Sequence, residues 1–267
     1  MESLIEHEAL WRAGFFSGLL VVFATWELMA PARRAEIPRV IRWGNNFAMV
    51  VLDTLIPRLV FPMLAVGVAA LATQNDWGLF PVLGLTGTIG IILGVLLLDL
   101  AIYGQHILFH KVPALWRLHR MHHADPHFDV STALRFHPIE IVLSMAIKMG
   151  VVLALGLSPV AVILFEILLS GTALFNHSNA RLPKVIEPVV RLFVVTPDMH
   201  RVHHSDIRIE TDSNYGFCLP WWDRLFGTYT AQPGRGHDGM GIGIGRYGSS
   251  RDQWLDRLLI QPFRRDK

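Results

Sequence analysis

Two copies of one short motif, His119-Arg120-Met121-His122-His123 and His200-Arg201-Val202-His203-His204, define the chemistry open to this chain. Each places imidazoles at i, i+3 and i+4, on one side of a helix if the segment is helical. A further i, i+4 pair, His106 and His110, lies upstream in Gln-His-Ile-Leu-Phe-His. Imidazole nitrogen suits iron, zinc, copper and nickel alike. An ion that keeps an open position takes three or four protein ligands, so these eight histidines point to two ions. With 13 histidines in 267 residues, one such motif by chance is uncommon; two with an HxxxH are far rarer. The single cysteine, Cys218, excludes an internal disulfide framework and cysteine-based zinc or iron–sulfur sites. His, Asp and Glu must carry any metal.

The elements that have to hold these side chains are hydrophobic. The chain is 52% hydrophobic and 17% charged, with mean hydropathy +0.38, whereas soluble domains carry about a quarter charged residues. Apolar runs over 13–30, 47–73 and 81–109 are long enough for membrane helices. The second contains Asp53, Pro57, Arg58 and Pro62, so its first half is expected to lie in the interface or face the bundle, kinked near the prolines. In the third, Asp99, Tyr103, His106 and His110 follow at +4, +3 and +4, a polar stripe that leaves the membrane at the metal ligands. Two more apolar runs within 141–175, joined by Leu-Gly-Leu-Ser-Pro, predict a helical hairpin in or across the membrane. Pro113 breaks one helix, and Pro138 fits the first turn of another with His137 near its cap. The expected fold is all-α: one integral membrane domain of polytopic helices over residues 1–267, with a cytosolic helical cap carrying a histidine-rich dimetal site. Arg33, Arg34, Arg39 and Arg42 in the 31–42 loop place that loop, and every histidine motif, in the cytoplasm. Residues 1–10 are acidic, and no cleavable leader is expected. No basic tract or nucleic-acid-binding signature occurs, so nucleic acid is excluded as a partner.

Further residues join the candidate site. His177 closes the hairpin beside Asn176, and both are assigned to it, His177 as a ligand. His137 is a candidate ligand or only a helix cap. Neutral imidazoles leave the charge of an ion uncompensated, so carboxylates are expected to orient the rings. Asp99 is the sharpest candidate, because a carboxylate in an apolar span is costly unless partnered or functional; Asp125, Glu140, Asp198 and Asp206 follow. Tyr215 is a candidate donor toward the rings. His127 reads as a loop residue, and His7 and His237 receive no role.

The order HxxxH, HxxHH, Arg-Phe-His-Pro-x-Glu, Phe-Asn-His-Ser-Asn, His-Arg-Val-His-His, Asn-Tyr-Gly and Trp-Asp-x-Leu-Phe-Gly-Thr resembles the fatty acid hydroxylase/sterol desaturase superfamily, in particular its bacterial sterol-desaturase-like members. The resemblance runs from about Leu97 to Thr228. It implies a membrane-bound non-haem diiron oxygenase that hydroxylates or desaturates a fatty acyl or sterol-like lipid with O2, in a bacterial inner membrane with its active site facing the cytoplasm. The two iron ions would be held by His106, His110, His119, His122, His123, His177, His200, His203 and His204. Position 173 is Ala where some of the superfamily's hydroxylases have histidine. His137 then completes the set, or one ion keeps a more open shell. With no CxxCH, cysteine cluster or GxGxxG present, electrons are expected from a ferredoxin or a cytochrome b5-like protein. The alternatives are a di-zinc membrane hydrolase, which would not need dioxygen, and a non-catalytic metal-binding membrane protein, for which ligands near the bilayer midplane are expected.

Overall fold

The computed structural model describes residues 6–34 and 37–264. The apolar segments fold as helices: α1 (Glu8–Met29), α2 (Arg39–Val60), α3 (Ala65–Gln74), α4 (Gly87–Lys111), α5 (Pro113–His123), α6 (Pro138–Leu155), α7 (Pro159–Asn176) and α8 (Pro197–His203). Beyond these come single helical turns and one isolated antiparallel bridge, Ser205 to Ile242. The fold is all-α, and α1, α4, α6 and α7 are long and apolar enough to cross a bilayer, as is the broken segment 39–82. Proline stands in the first turn of α5, α6, α7 and α8, where its missing N–H leaves no helical bond unmade.

The membrane bundle closes at the end far from the histidines. The α6–α7 hairpin turns at Gly156, in the left-handed region at φ 69°. A Cβ there would sit 2.1 Å from the Trp77 carbonyl oxygen, and one on Gly78 would sit 2.2 Å from the Gly156 nitrogen. Two glycines therefore let the 75–78 turn seat directly on the hairpin tip. Ala65, Ala69, Leu98, Val152, Leu157 and Phe165 form the core between α3, α4, α6 and α7. α1 packs outside, with Phe23 and Phe175 rings 5.6 Å apart.

The 47–73 stretch is not one rod. Phe61 is extended, as the residue before Pro62 must be, and the chain restarts as α3 at Ala65. α2 packs against α6, and its first half meets the polar cap: Asn46 donates to Ser131 at 3.0 Å, Asn45 accepts from the Leu255 N–H at 2.8 Å, and Met49 packs with Met121 and Leu258. Likewise the 81–109 run is interrupted: residues 79–82 form a separate turn, Gly84 and Gly87 take positive φ, and α4 starts only at Gly87.

Arg42 is not part of an exposed basic loop. It lies in α2, fully buried, and pairs with Asp125 at 2.8 Å and Asp129 at 2.5 Å. Arg33 is spent on the carbonyls of His237 and Met240. Glu27, hidden in the apolar α1, accepts the N–H groups of Val130 at 2.6 Å and Asn179 at 2.5 Å. These buried charges tie α1 and α2 to the loops that carry the histidines. Arg42 is matched by opposite charge and Glu27 Oε1 by donors, while Glu27 Oε2 is buried without a partner.

Candidate metal centre

Nine histidines from four elements meet at the polar end of the bundle, in two groups. Within each group, one ligand nitrogen per residue lies within 4.8 Å of every other. Group A is His106, His110, His119, His123 and His203; group B is His122, His177, His200 and His204. Each HxxHH motif is shared out. His119 and His123 go to A and His122 to B, whereas His200 and His204 go to B and His203 to A. The i, i+4 pair stays together and the middle histidine crosses over, so α5 and α8 each bridge the two groups. His123 and His204 stack between them at 4.4 Å.

The hydrogen bonds fix which nitrogen faces inward. His106 Nδ1 lies 2.8 Å from the Tyr215 carbonyl, His203 Nδ1 2.7 Å from that of Ser213, and His177 Nδ1 2.8 Å from that of Ala173. His122 Nδ1 lies 3.2 Å from the Arg135 carbonyl. A carbonyl oxygen only accepts, so each of these Nδ1 atoms carries the proton and each Nε2 presents a lone pair. Yet His203 and His106 Nε2 are 3.1 Å apart, as are those of His177 and His122. Two bare lone pairs facing each other at that distance repel unless a cation lies between them. His110 Nε2 and both ring nitrogens of His123 and His204 are also buried without a hydrogen-bond partner. Burial pushes His119 down to about 3 and His177 down to about 4, and it holds His122, His123, His200, His203 and His204 well below the usual imidazole value. Neutral imidazole is the form that ligates. The donor set fits two ions.

Carboxylates support group A. Glu140, at the start of α6, accepts from His119 Nδ1 at 2.6 Å, and Asp212 faces His110 Nδ1 at 3.3 Å. Asp212 was not singled out from the sequence: it stands in a polar loop 102 residues from its partner, and no local spacing marks it. Group B leans on backbone carbonyls and phenylalanines. Phe136 stacks on His122 at 4.5 Å and Phe128 on His177 at 5.6 Å.

The remaining assigned residues lie around this centre. His137 joins neither group; its Nδ1 accepts from the Ile139 N–H as the cap of α6, and its Nε2 meets the Leu259 carbonyl at 3.1 Å. Asp99 touches no histidine in its hydrogen bonding. It accepts from Cys218 N, Leu219 N and Trp222 Nε1, the last at 2.8 Å, and so fixes the 217–222 loop. Asn176 donates to the Phe217 carbonyl at 3.0 Å in the same loop. Tyr215 serves through its carbonyl rather than its hydroxyl, which is buried and unpartnered. Asp223, raised to about 6 by burial, takes the N–H groups of Tyr215 and Gly216 at 2.8 Å each, which aims that carbonyl at His106.

Below group A an apolar cavity of about 270 Å³ opens among α1, α2, α4, α6 and α7. His106 and His119 form part of its wall, beside Ile102, Leu169, Leu174 and Phe217. Helices of membrane-crossing length, with two histidine groups able to hold metal ions at their polar end and an apolar cavity beside them, define an integral membrane protein. A sequence model of the fatty acid hydroxylase family matches residues 91–228, more than half of the chain, and the protein belongs to that family. It is 31% identical over 176 residues to the ornithine lipid hydroxylase OlsE of Rhizobium tropici, covering 66% of this chain and 50% of that one. It is 32% identical over 138 residues to the alkylglycerol monooxygenase of Homo sapiens, covering 50% and 29%. With the cholesterol 25-hydroxylase-like protein of Danio rerio the identity is 30%, covering 50% and 53%. The matched region thus spans about half the length of these curated relatives, or less. No solved structure matches the chain.

Proposed function

We propose that this protein is a dioxygen-dependent lipid oxygenase that holds two iron ions, one in group A and one in group B, and hydroxylates or desaturates a C–H bond of a membrane lipid. The carrying observation is the pair of deprotonated Nε2 atoms at 3.1 Å in each group, backed by the cavity that leads from the bundle to His106 and His119. The relatives' names, lipid hydroxylase and monooxygenase, agree. When bound, the ions supply the reduction of dioxygen and the oxidising power that an unactivated C–H bond requires. The chain's own residues do the rest. Glu140 and Asp212 orient two rings of group A and offset part of the ionic charge. The carbonyls of Tyr215 and Ser213 hold His106 and His203 with Nε2 inward. Leu169, Leu174 and Phe217 exclude water and receive the lipid.

Asp99, Asn176 and Tyr215 act as positioning residues that shape the 215–222 loop, and His137 acts as a helix cap. The electrons come from a separate carrier of the ferredoxin or cytochrome b5 kind. The membrane is a bacterial inner membrane, with the metal end of the bundle on the cytoplasmic side.

The test is purification in detergent, metal analysis and lipid turnover with and without dioxygen. About two irons per chain are expected, with oxygen-dependent lipid oxidation that His122→Ala abolishes. Full turnover without dioxygen, by a zinc-loaded protein, would instead establish the hydrolase.

A further inference from the structure

The cavity below group A is mostly apolar; beyond His106 and His119 its polar lining is limited to five side chains, one of them Ser170 of α7. Asp53 of α2, Gln105 of α4 and Glu140 and Ser144 of α6 all line it. Gln105 and Ser144 bond each other at 2.9 Å. Both carboxylates keep one buried oxygen with no partner: Asp53 Oδ1 and Glu140 Oε2, and Glu140 as a residue is only 4% exposed. A buried carboxyl oxygen left without a partner in an apolar wall is costly. The cost is offset if a ligand brings hydrogen-bond donors. An anionic head group would bring acceptors where donors are needed.

The level of these groups matters as well. Glu140 stands in the first turn of α6, one imidazole away from the metal face of His119. Asp53 belongs to α2, about one to two turns beyond Asn45, Asn46 and Met49, which touch the polar cap. Lipid head groups sit at this end of a membrane bundle, so a lipid held here would present the carbons nearest its head to group A.

Resting on the oxygenase reading, we propose that Asp53 and Glu140 form a head-group subsite for lipids whose polar end donates hydrogen bonds, through an ammonium or through hydroxyls, and that oxidation falls within a few carbons of that end. Asp53 supplies selectivity; Glu140 serves the subsite and His119 together.

The experiment uses the full-length, metal-loaded protein in nanodiscs and three amphiphiles of equal chain length: dodecylamine, 1,2-dodecanediol and dodecyl methyl ether. Competition against radiolabelled dodecylamine gives the affinities, with empty nanodiscs correcting for partition. The amine, the diol or both should bind at least about tenfold more tightly than the ether, the scale of a hydrogen bond to a charged group. Preference for the amine alone assigns an ammonium, for the diol alone a hydroxyl head. Asp53→Asn, with iron content unchanged as the sign of an intact fold, should reduce amine affinity by at least about tenfold. Ether binding within about twofold of both donors overturns the subsite, and this comparison needs no variant. Turnover gives the second readout. Products oxidised toward the methyl end overturn the positional claim. A donor preference without any lipid oxidation would instead overturn the oxygenase reading while leaving the subsite standing.

Discussion

Groups A and B are built from the same two motifs, yet their surroundings differ. Group A has five imidazoles, two carboxylate partners and a wall shared with the lipid cavity. Group B has four imidazoles, with His122 and His177 held by backbone carbonyls and flanked by Phe136 and Phe128. Two acceptors of A, Glu140 and Asp212, are side chains whose charge can be changed by mutation, while His106 and His203 rest on the carbonyls of Tyr215 and Ser213. The acceptors of His122 and His177 are main chain, present whatever the sequence. The group that faces the cavity thus has acceptors open to mutation, and in its neighbour His122 and His177 rest on main chain beside phenylalanine rings.

The contrast can be tested in order of expected effect. His119→Ala in A and His177→Ala in B should each lower iron from about two to about one per chain and bring lipid oxidation to background, read by metal analysis and product assay. Loss of both ions from either variant would show that the groups load as one unit. Next, Glu140→Gln should cost roughly 10- to 100-fold in iron affinity or turnover at A. A loss below about threefold would remove the distinction drawn from carboxylate support.

Acid should act on both groups alike in the metal-free protein. The folded-state values of His119 and His177, about 3 and about 4, lie below the imidazole value of 6.5 in the unfolded chain. The unfolded state therefore binds more protons, and stability is present above pH 6.5 and lost as pH falls through about 4 for His177 and about 3 for His119. Bound iron should oppose this loss until protons displace it. Thermal melts across that range, with and without iron, measure both. The smallest effect belongs to His137→Ala, which removes a cap worth about 1 kcal/mol and should leave both ions in place. A lost iron would return His137 to the ligand set.

Much of the architecture was legible because it is local. Apolar length announces the helices, and proline marks where four of them begin. The density of histidine at helical spacing points to two metal-holding groups before any fold is known. In the 47–73 run the kink expected near the prolines is a full break at Phe61–Leu64, which follows from Pro62, but that the first half of α2 meets the cap depends on Ser131, Met121 and Leu258, all distant in sequence.

The chain's own residues thus determined the helical class, the metal-binding character and eight of the nine clustered imidazoles by spacing alone, with His177 read from its place at the hairpin's end. The tertiary structure decided how they divide. On a helix, positions i+3 and i+4 lie about 100° apart, on either side of residue i, and spacing cannot say which one turns to which ion. Only the packing of α5 against α4 and α8 sends His122 one way and His123 the other. The same holds for Asp99, which spacing joins to the histidine stripe and the fold gives to the 217–222 loop, and for Arg42, which spacing assigns to a basic loop and the fold buries between Asp125 and Asp129. A buried charge is settled by its partners, and here those partners come from parts of the chain that only folding brings together.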